Sequence, residues 1–552
     1  MNTYAIQHTP DSHFAYALDE HTLRLVLWVA KGEKIKSIEV LWTNNYEFPR
    51  HRSCTRMQKR GSSDLYDYYF ADISSVDVRF AYIFYIQTPD EDEFYFFSEA
   101  GLTREYDFPT SYFTFFQFPY IQPCDITRVI PWTRDAVFYQ IFPDRFRRGD
   151  FDKDDRYITQ EWNEVSQSKS FAGGDLKGIT EKLGYLADMG ITALYLTPVF
   201  KSPSNHKYNI TDYLEVDPMF GTNEDLHELI DATHARGMKL VIDTVFNHCD
   251  ESCPKFQDVL QKGRASKYYD WFVIHGDVPE KYTHSTCNYE IFADCAYMPK
   301  WNTSNPAVRK FFVNIALSYL EWGFDGLRLD VADEVSHTLW QELRAAVKEK
   351  FPEALIIGEL WHENGMYLRG NEFDSVMNYK LQKAFTEYFA AGSIDAKTFA
   401  EWFNRNWYRN KRQVNEMMLN FLDNHDTPRF LRLCAEDKER LLEALVALYF
   451  CEGMPCVFYG TELPLTGDGD PDCRRTYDWS QTAELYDLLK SLVRMRKELP
   501  HGDMYAYEEG GSLVLVRENQ EERAKAYFGN ADAAQGTVIY HYGTVQIVRE
   551  RK

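Results

Sequence analysis

The sequence predicts an α/β protein built on a (β/α)8 barrel, with an N-terminal β-sandwich, an excursion domain after the third barrel strand and a small C-terminal β domain. Two observations lead to this fold class. The chain has 552 residues, which is more than one hydrophobic core holds. Aromatic and β-branched runs fill both of its ends, whereas short apolar strands alternate with helical segments in the long middle part.

The N-terminal part reads as strands separated by turns. Residues 23–29 (LRLVLWV), 37–42 (SIEVLW), 66–71 (YDYYFA) and 80–87 (FAYIFYIQ) alternate with clusters rich in Gly, Ser, Asp and Lys. This pattern is typical of an all-β sandwich. Because residues 119–131 (PYIQPCDITRVIP) read as a linker, the sandwich is expected to span residues 1–122.

Residues 123–500 are expected to form the catalytic (β/α)8 barrel, and residues 501–552 the C-terminal β domain. The longest gap between barrel elements, about 249–302, follows the third strand and predicts an insertion domain over the barrel mouth. The predicted strands are 137–142, 193–196, 240–243, 326–330, 355–359, 375–378, 419–422 and 456–459, and the helices include 176–186, 224–235, 307–322, 339–350 and 438–449.

Composition narrows the choice of ligand. The net charge of −23 argues against nucleic acid and against anionic membranes, both of which attract basic surfaces. No apolar run is long enough to span a bilayer, and neither an export signal nor a zinc-type CxxC pair is visible among ten scattered cysteines. We therefore expect a cytoplasmic protein. An aromatic content of 16% suits the apolar faces of sugars, although large cores also account for it.

Polar side chains gather at the ends of four predicted strands. In a barrel these carboxyl ends open onto one mouth, where the active sites of this fold lie. Any one residue could be a helix cap or an ion-pair partner, but the set together predicts an active site. Its members are Asp243 and His248 at the third strand, Arg328 and Asp330 at the fourth, Glu359 and Trp361 at the fifth, and His425 and Asp426 at the seventh.

These four stretches resemble, in order, the signature regions of the α-amylase superfamily of glycoside hydrolases. Residues 298–302 (MPKWN), 135–146 (DAVFYQIFPDRF), 202–213 (SPSNHKYNITDY) and 470–475 (DPDCRR) are similar to motifs of its neopullulanase, cyclomaltodextrinase and maltogenic amylase group. The resemblance runs through nearly the whole chain. It implies a retaining α-glucan hydrolase that cleaves α-1,4 bonds of maltodextrins and cyclodextrins, and pullulan as a further candidate.

The resemblance also implies the catalytic roles. Asp330 stands in the place of the nucleophile, Glu359 in that of the general acid/base and Asp426 in that of the transition-state stabiliser. Retention requires two carboxyls about 5–5.5 Å apart, one ionised and one protonated. We expect Arg328 to keep Asp330 ionised, and we expect a neighbouring carboxylate and Trp361 to raise the pKa of Glu359.

Further residues match the group's substrate contacts. Tyr208 corresponds to its aromatic platform, His248 and His425 to its hydroxyl-binding histidines. Two positions depart from the pattern, with Leu327 in place of Trp and Asp333 in place of Asn, so the balance of hydrolysis to transfer stays open. The remaining substrate-binding candidates are Asp243, Arg328, Glu334, Trp361, Phe292, Asp470 and Arg474, with core packing as the alternative for Phe292.

The resemblance implies no required cofactor. Some group members bind calcium near the first strand, and the weak candidates here are Asp150, Asp154, Gly173 and Asp175. Arg148 and Lys153 replace two asparagines of that ligand set, and cations weaken a site for a hard cation. A surface acidic loop is the favoured interpretation.

Two alternatives to hydrolysis stay open, a catalytically inactive amylase-like interaction protein and a glucan transferase. The inactive class typically lacks one of the three carboxylates, all of which are present. The group's N-terminal domain also implies a homodimer. The aromatic stretches 94–97 (FYFF) and 112–118 (YFTFFQF) could line its interface or be buried within the chain.

Overall fold

The structure is a computed structural model that describes residues 2–90, 93–280, 287–529 and 536–552. The chain forms two compact units. One comprises residues 1–129, 392–416 and 499–552, and the other comprises residues 130–391 and 417–498. Six residues of the predicted insertion domain, 281–286, lie outside the described part of the chain.

The first unit begins with the predicted β-sandwich. Its two antiparallel sheets have the orders β1-β2-β6-β5 and β4-β3-β7-β8-β9, with β10 paired to β7. Leu25, Leu27, Val40 and Phe84, which come from both sheets, share one hydrophobic cluster. The strands are β1 (Ala15–Ala17), β2 (Thr22–Ala30), β3 (Ser37–Thr43), β4 (Ser53–Arg56), β5 (Gln58–Ser62), β6 (Tyr66–Ser74), β7 (Phe80–Gln87), β8 (Phe94–Ser98), β9 (Gly101–Thr103) and β10 (Phe116–Phe118).

Most of the aromatic surplus of this domain is core. Tyr95 and Phe97 pack against the main cluster, and Phe115 belongs to a second one. Phe113, in contrast, is 91% exposed, and Tyr112 beside it is also exposed. Packing against these two clusters therefore accounts for most aromatic residues of the two stretches proposed for an interface, whereas Tyr112 and Phe113 are exposed.

The second unit is the predicted barrel. Eight parallel strands have the order β20-β19-β18-β15-β12-β11-β22-β21, and a parallel bridge between Met377 and Leu419 joins the two ends. The short strands are apolar because both faces are buried. They are β11 (Phe138–Ile141), β12 (Ala193–Leu196), β15 (Lys239–Thr244), β18 (Gly326–Leu329), β19 (Leu355–Gly358), β20 (Ser375–Val376), β21 (Leu419–Phe421) and β22 (Met454–Phe458); β13 (Phe200–Lys201), β14 (Asp212–Val216), β16 (Ile291–Phe292) and β17 (Cys295–Pro299) lie in its loops.

Helices follow the barrel strands where the pattern predicted them. Side-chain caps begin several of them, including Asp175 and Asn305, and a Thr222–Asp225 capping box begins another. In the residues described, no helix combines the length and apolarity needed to cross a bilayer. The helices of this unit are α1 (Pro143–Phe146), α2 (Leu176–Met189), α3 (Asn223–His234), α4 (Pro254–Lys262), α5 (Pro306–Trp322), α6 (His337–Lys350), α7 (Tyr379–Phe385), α10 (Phe430–Leu433), α11 (Lys438–Phe450) and α12 (Tyr486–Arg496).

The first unit is completed by two later parts of the chain. Helices α8 (Ala396–Trp407) and α9 (Arg412–Asn415) precede the seventh barrel strand in sequence but belong to this unit. The Asn404 side chain exchanges two 2.8 Å hydrogen bonds with the backbone of Ala506. The C-terminal sheet is antiparallel, in the order β23-β24-β25-β27-β26, from β23 (Asp503–Glu509), β24 (Ser512–Glu518), β25 (Glu522–Phe528), β26 (Thr537–Tyr542) and β27 (Val545–Arg551).

Candidate active site

One guanidinium, that of Arg328, lies among three carboxylates at the mouth of the barrel. Its Nη1 donates to both oxygens of Asp243 at 2.9 Å and to Asp330 Oδ1 at 2.8 Å. Its Nη2 lies 2.7 Å from Glu359 Oε1, although not along an N–H direction. Because Asp243, Arg328, Asp330 and Glu359 come from or directly follow adjacent parallel strands, the register of β15, β18 and β19 brings them together. The cluster carries more negative charge than one cation neutralises.

This sharing corrects one prediction. From the sequence we expected Arg328 to keep Asp330 ionised. In the structure, burial and the neighbouring Glu359 raise the pKa of Asp330 well above its usual range, against the opposing effect of Arg328. Burial likewise raises the pKa of Asp243 to about 6. In the free protein the cluster therefore holds protons to a higher pH than ordinary carboxyls do.

Glu359 has further donors on both of its oxygens. Trp361 Nε1 donates to Oε1 at 3.2 Å and the Tyr379 hydroxyl at 3.4 Å, while the Val331 N–H donates to Oε2 at 2.9 Å. The ring of Trp361, which is 46% exposed, stacks on Tyr379 with centroids 3.9 Å apart. Val331 has a φ of 46°, an uncommon left-handed conformation for a β-branched residue. This conformation accompanies the hydrogen bond of its N–H to Glu359.

A second group surrounds Asp426. His425 Nε2 lies 3.1 Å from Asp426 Oδ2 and contacts the Tyr208 hydroxyl, with the two rings parallel. Arg474 joins this group to Asp470, since its Nη1 lies 2.9 Å from Asp470 and its Nη2 lies 3.2 Å from Asp426. Burial and the nearby cations, Arg474 foremost, lower the pKa of His425 well below its usual range, so this imidazole is neutral.

The Tyr208 hydroxyl also links this group to the first, because it donates to Asp243 Oδ2 at 2.7 Å. The Tyr195 hydroxyl donates to the same oxygen at 2.6 Å. On the other side, Gln140 of the first barrel strand lies 2.8 Å from His425 Nδ1 and orients that ring. Platform, histidine and carboxylates thus form one connected hydrogen-bond network.

The loop after the third strand and the turn after the fourth supply a third group. His248 stacks on Phe292 with centroids 4.5 Å apart, so Phe292 contacts a site histidine rather than a core. Burial lowers the pKa of His248 to about 3, and its Nε2 has no partner among the described residues. Glu334 accepts a 2.6 Å hydrogen bond from Lys300. A neutral imidazole with an unpaired nitrogen is suited to a sugar hydroxyl.

Four residues of these groups were not among the predicted site residues. Tyr195 lies within a barrel strand and Tyr379 begins helix α7, and neither lies in a motif quoted above, whereas Gln140 lies inside the motif at 135–146. Lys300 lies inside the MPKWN motif and could have been proposed from it. All predicted catalytic and substrate-binding residues lie in these three groups. Buried carboxylates beside aromatic faces and neutral hydrogen-bonding rings can bind a sugar and transfer a proton to it.

Comparison with known proteins agrees with this geometry. Residues 140–497 match the family model "Alpha amylase, catalytic domain", and residues 1–122 match "Alpha amylase, N-terminal ig-like domain". The chain belongs to the α-amylase family. It is therefore a glycoside hydrolase, and the resemblance seen in the motifs is confirmed.

Relatives within the α-amylase family extend over almost the full chain. The intracellular maltogenic amylase of Bacillus subtilis is 36% identical, covering 98% of this chain and 92% of that protein. Neopullulanase 2 of Thermoactinomyces vulgaris is 37% identical, covering 97% and 92%. Among solved structures, a cyclomaltodextrinase superposes with a TM-score of 0.87 at 31% identity, covering 100% of this chain and 98% of that one.

The calcium candidates already contact cationic side chains of this chain, so they do not fit a calcium ion. Asp150 pairs with Lys177 at 2.7 Å, and Asp154 pairs with Arg156 at 2.5 Å. The remaining two, Gly173 and Asp175, both contact the ammonium of Lys153. Within the described ranges no group of three or more His, Cys, Asp or Glu side chains is arranged to hold a metal ion.

Proposed function

We propose that the protein is a retaining α-glucan hydrolase that cleaves α-1,4-glucosidic bonds of maltodextrins and cyclodextrins, and of pullulan as a further substrate. The observation that carries the proposal is the convergence of Asp243, Asp330 and Glu359 on Arg328, with Asp426 beside Tyr208 and His425. The names of the relatives support the substrate class.

In the proposed mechanism Asp330 attacks the anomeric carbon while Glu359 gives a proton to the departing glycosidic oxygen. Water then attacks the covalent intermediate, returns a proton to Glu359 and frees Asp330, so that the α-anomer is retained. The raised pKa of Asp330 fits a cluster that holds a proton in the free protein. When substrate is bound, the positive charge that develops at the anomeric carbon favours the ionised form of Asp330. In this proposal the proton of the cluster is then carried by Glu359, which gives it to the leaving group. In the same proposal Asp426 stabilises that positive charge.

The site bears on the two alternatives, an inactive amylase-like protein and a glucan transferase. The inactive class is not favoured, because all three carboxylates are present and lie in one hydrogen-bonded site. Glucan transfer uses the same residues and differs only in whether water or a sugar hydroxyl attacks. Asp333 and Glu334 follow Asp330 by three and four residues, and Glu334 pairs with Lys300. We expect these three residues to set the ratio of hydrolysis to transfer.

The proposal extends to the cellular location, the cofactor requirement and the oligomeric state of the protein. We infer a cytoplasmic enzyme without a required cofactor, in keeping with the intracellular relative. We also propose a homodimer in which the exposed pair Tyr112 and Phe113 lies at the interface. Light scattering that gives a monomer at all concentrations would contradict the dimer.

Product analysis tests the central proposal. The protein is incubated separately with β-cyclodextrin, pullulan and soluble starch, and early products are followed by chromatography and NMR. We expect fastest turnover of β-cyclodextrin and release of the α-anomer first. Glu359→Gln, which keeps shape but removes the acid, is the control for contaminating activity. Initial release of the β-anomer would refute retention, and no turnover of any glucan would refute the function.

A further inference from the structure

Lys153 holds together three segments of the second unit. Its ammonium donates to Asp175 Oδ2 at 2.7 Å, to the Gly173 carbonyl at 2.9 Å and to the Met219 carbonyl at 3.0 Å. The side chain is only 7% exposed. An ammonium has three N–H donors, so these three oxygens satisfy it completely.

Other contacts fix the positions of Asp175 and Gly173, which supply two of these oxygens. Asp175 caps helix α2 through Gly178 at 2.8 Å, and its carboxylate also accepts the N–H groups of Gly149 and Asp150. Gly173 has a φ of 89°, and a Cβ there would lie 2.5 Å from the Ile158 side chain, so only glycine fits. The carbonyl groups are therefore held in place around the cation rather than meeting it by chance.

We propose that the ammonium of Lys153 serves as a built-in cation at the place where relatives of this family bind calcium, so that this chain needs no divalent ion to hold the loop. A carboxylate and two carbonyl oxygens around one positive charge are the ligand types of a hard cation. Here a compact point charge tethered to the chain occupies their centre.

The surrounding charges oppose a divalent ion. Burial lowers the pKa of Lys153, Asp175 raises it, and the positive charge of Arg148 lowers it again. An ion of twice the charge at the same place would meet about twice the repulsion from Arg148 and would also have to displace the ammonium. Asp150 and Asp154 cannot compensate, because each is paired with its own cation.

The arrangement also bears on the sugar site. Met219, whose carbonyl binds Lys153, lies two residues after Asp217, and Asp217 pairs with buried Lys207 at 2.9 Å. Lys207 directly precedes the platform Tyr208. The built-in cation therefore supports the segment that holds the neighbour of Tyr208, and its removal is expected to loosen both.

Thermal unfolding of four forms of the full chain tests the proposal. These are the natural chain, Lys153→Met, the double variant Arg148→Asn with Lys153→Asn, and Lys177→Met as a matched control. The control removes Lys177 in the first turn of helix α2, a half-exposed side chain that pairs with Asp150. Each is stripped of metal and melted with either CaCl₂ or EDTA, and calcium binding is measured by isothermal titration calorimetry.

We expect calcium neither to bind the natural chain nor to shift its Tm. Lys153→Met is expected to lower the Tm by about 4 °C with no rescue by calcium, because Asp175 loses its counter-charge and the Gly173 and Met219 carbonyls each lose the lysine as a donor. The control is expected to change the Tm by less than about 1 °C. The double variant restores the asparagines of the family pattern, and we expect it to bind one calcium ion per chain and to regain Tm with it.

Three results would overturn the proposal. They are calcium-dependent stabilisation of the natural chain, a Lys153→Met variant as stable as the control, and a double variant that folds but binds no calcium. If the double variant does not fold, the calcium response of the natural chain and the Tm of Lys153→Met still decide the question.

Discussion

Arg328 and Lys153 are two buried cations of the second unit. The oxygens around them differ in total charge, and this gives the two sites different properties. Arg328 is shared by three carboxylates, of which two have raised pKa values. Lys153 contacts one carboxylate and two uncharged carbonyl groups. The first site has surplus negative charge, whereas the charges of the second balance.

This difference separates chemistry from support. Surplus charge makes a proton available near the sugar, because buried carboxylates that share one cation cannot all stay ionised. A balanced site has no proton to give and simply fixes its loops. Removing groups around Arg328 should therefore change mainly the rate, whereas removing Lys153 should lower thermal stability and change the rate only through the loosened segment before Tyr208.

The largest effect is expected from Asp330→Asn, which removes the proposed nucleophile but keeps its size. We expect kcat on β-cyclodextrin to fall about 10⁴-fold or more. The Tm should change little, because the amide still accepts the hydrogen bond from Arg328. Asp231→Asn, which changes an exposed aspartate of helix α3, is the matched control and should retain activity. Near-parental activity of Asp330→Asn would disprove the assignment.

A smaller loss is expected from Arg328→Lys, which keeps the charge but loses the fork that reaches three carboxylates. We predict a fall in kcat/KM of roughly 10²-fold, because the reacting groups are no longer held in register. Stopped assays with maltotriose and β-cyclodextrin measure it. If the variant keeps its full rate, charge alone suffices and the geometric sharing has no catalytic role.

The pH profile probes the surplus charge directly. The acid limb of kcat/KM should report protonation of Asp330, whose raised pKa places the loss of activity above the usual range of an aspartate as pH falls. Asp243→Asn removes one neighbouring negative charge, so the pKa of Asp330 falls and the acid limb moves to lower pH, by about half a unit or more. Asp231→Asn on the outer helix α3 is the control. An unmoved limb, or a shift to higher pH, would contradict the charge argument.

The smallest effect concerns metal removal. Because the ammonium of Lys153 occupies the place of a calcium ion, we expect EDTA to leave kcat/KM and Tm of the natural chain unchanged within error. The same treatment of the Arg148→Asn, Lys153→Asn double variant should lower both. A calcium-reversible loss of activity in the natural chain would show that the balanced site is not complete by itself.

Local pattern was enough for the architecture. The eight barrel strands lie where apolar runs predicted them, and their ends differ from the prediction by at most two residues. Since parallel strands of a barrel share one mouth, the polar residues at their ends could be grouped before any contact was known. Motif order then pointed to the family, which the comparisons confirm.

Partners and charge balance were decided only in three dimensions. Helix α8 reads like another barrel helix, yet its Asn404 pairs with Ala506 of the C-terminal sheet. The sequence placed Arg328 two residues from Asp330 but could not show that Asp243 and Glu359 compete for the same guanidinium. Hydrophobic periodicity depends only on residues that are neighbours along the chain, so it can be read directly from the sequence. A pKa depends on every charge within a few ångströms, and folding brings those charges from strands far apart in the chain.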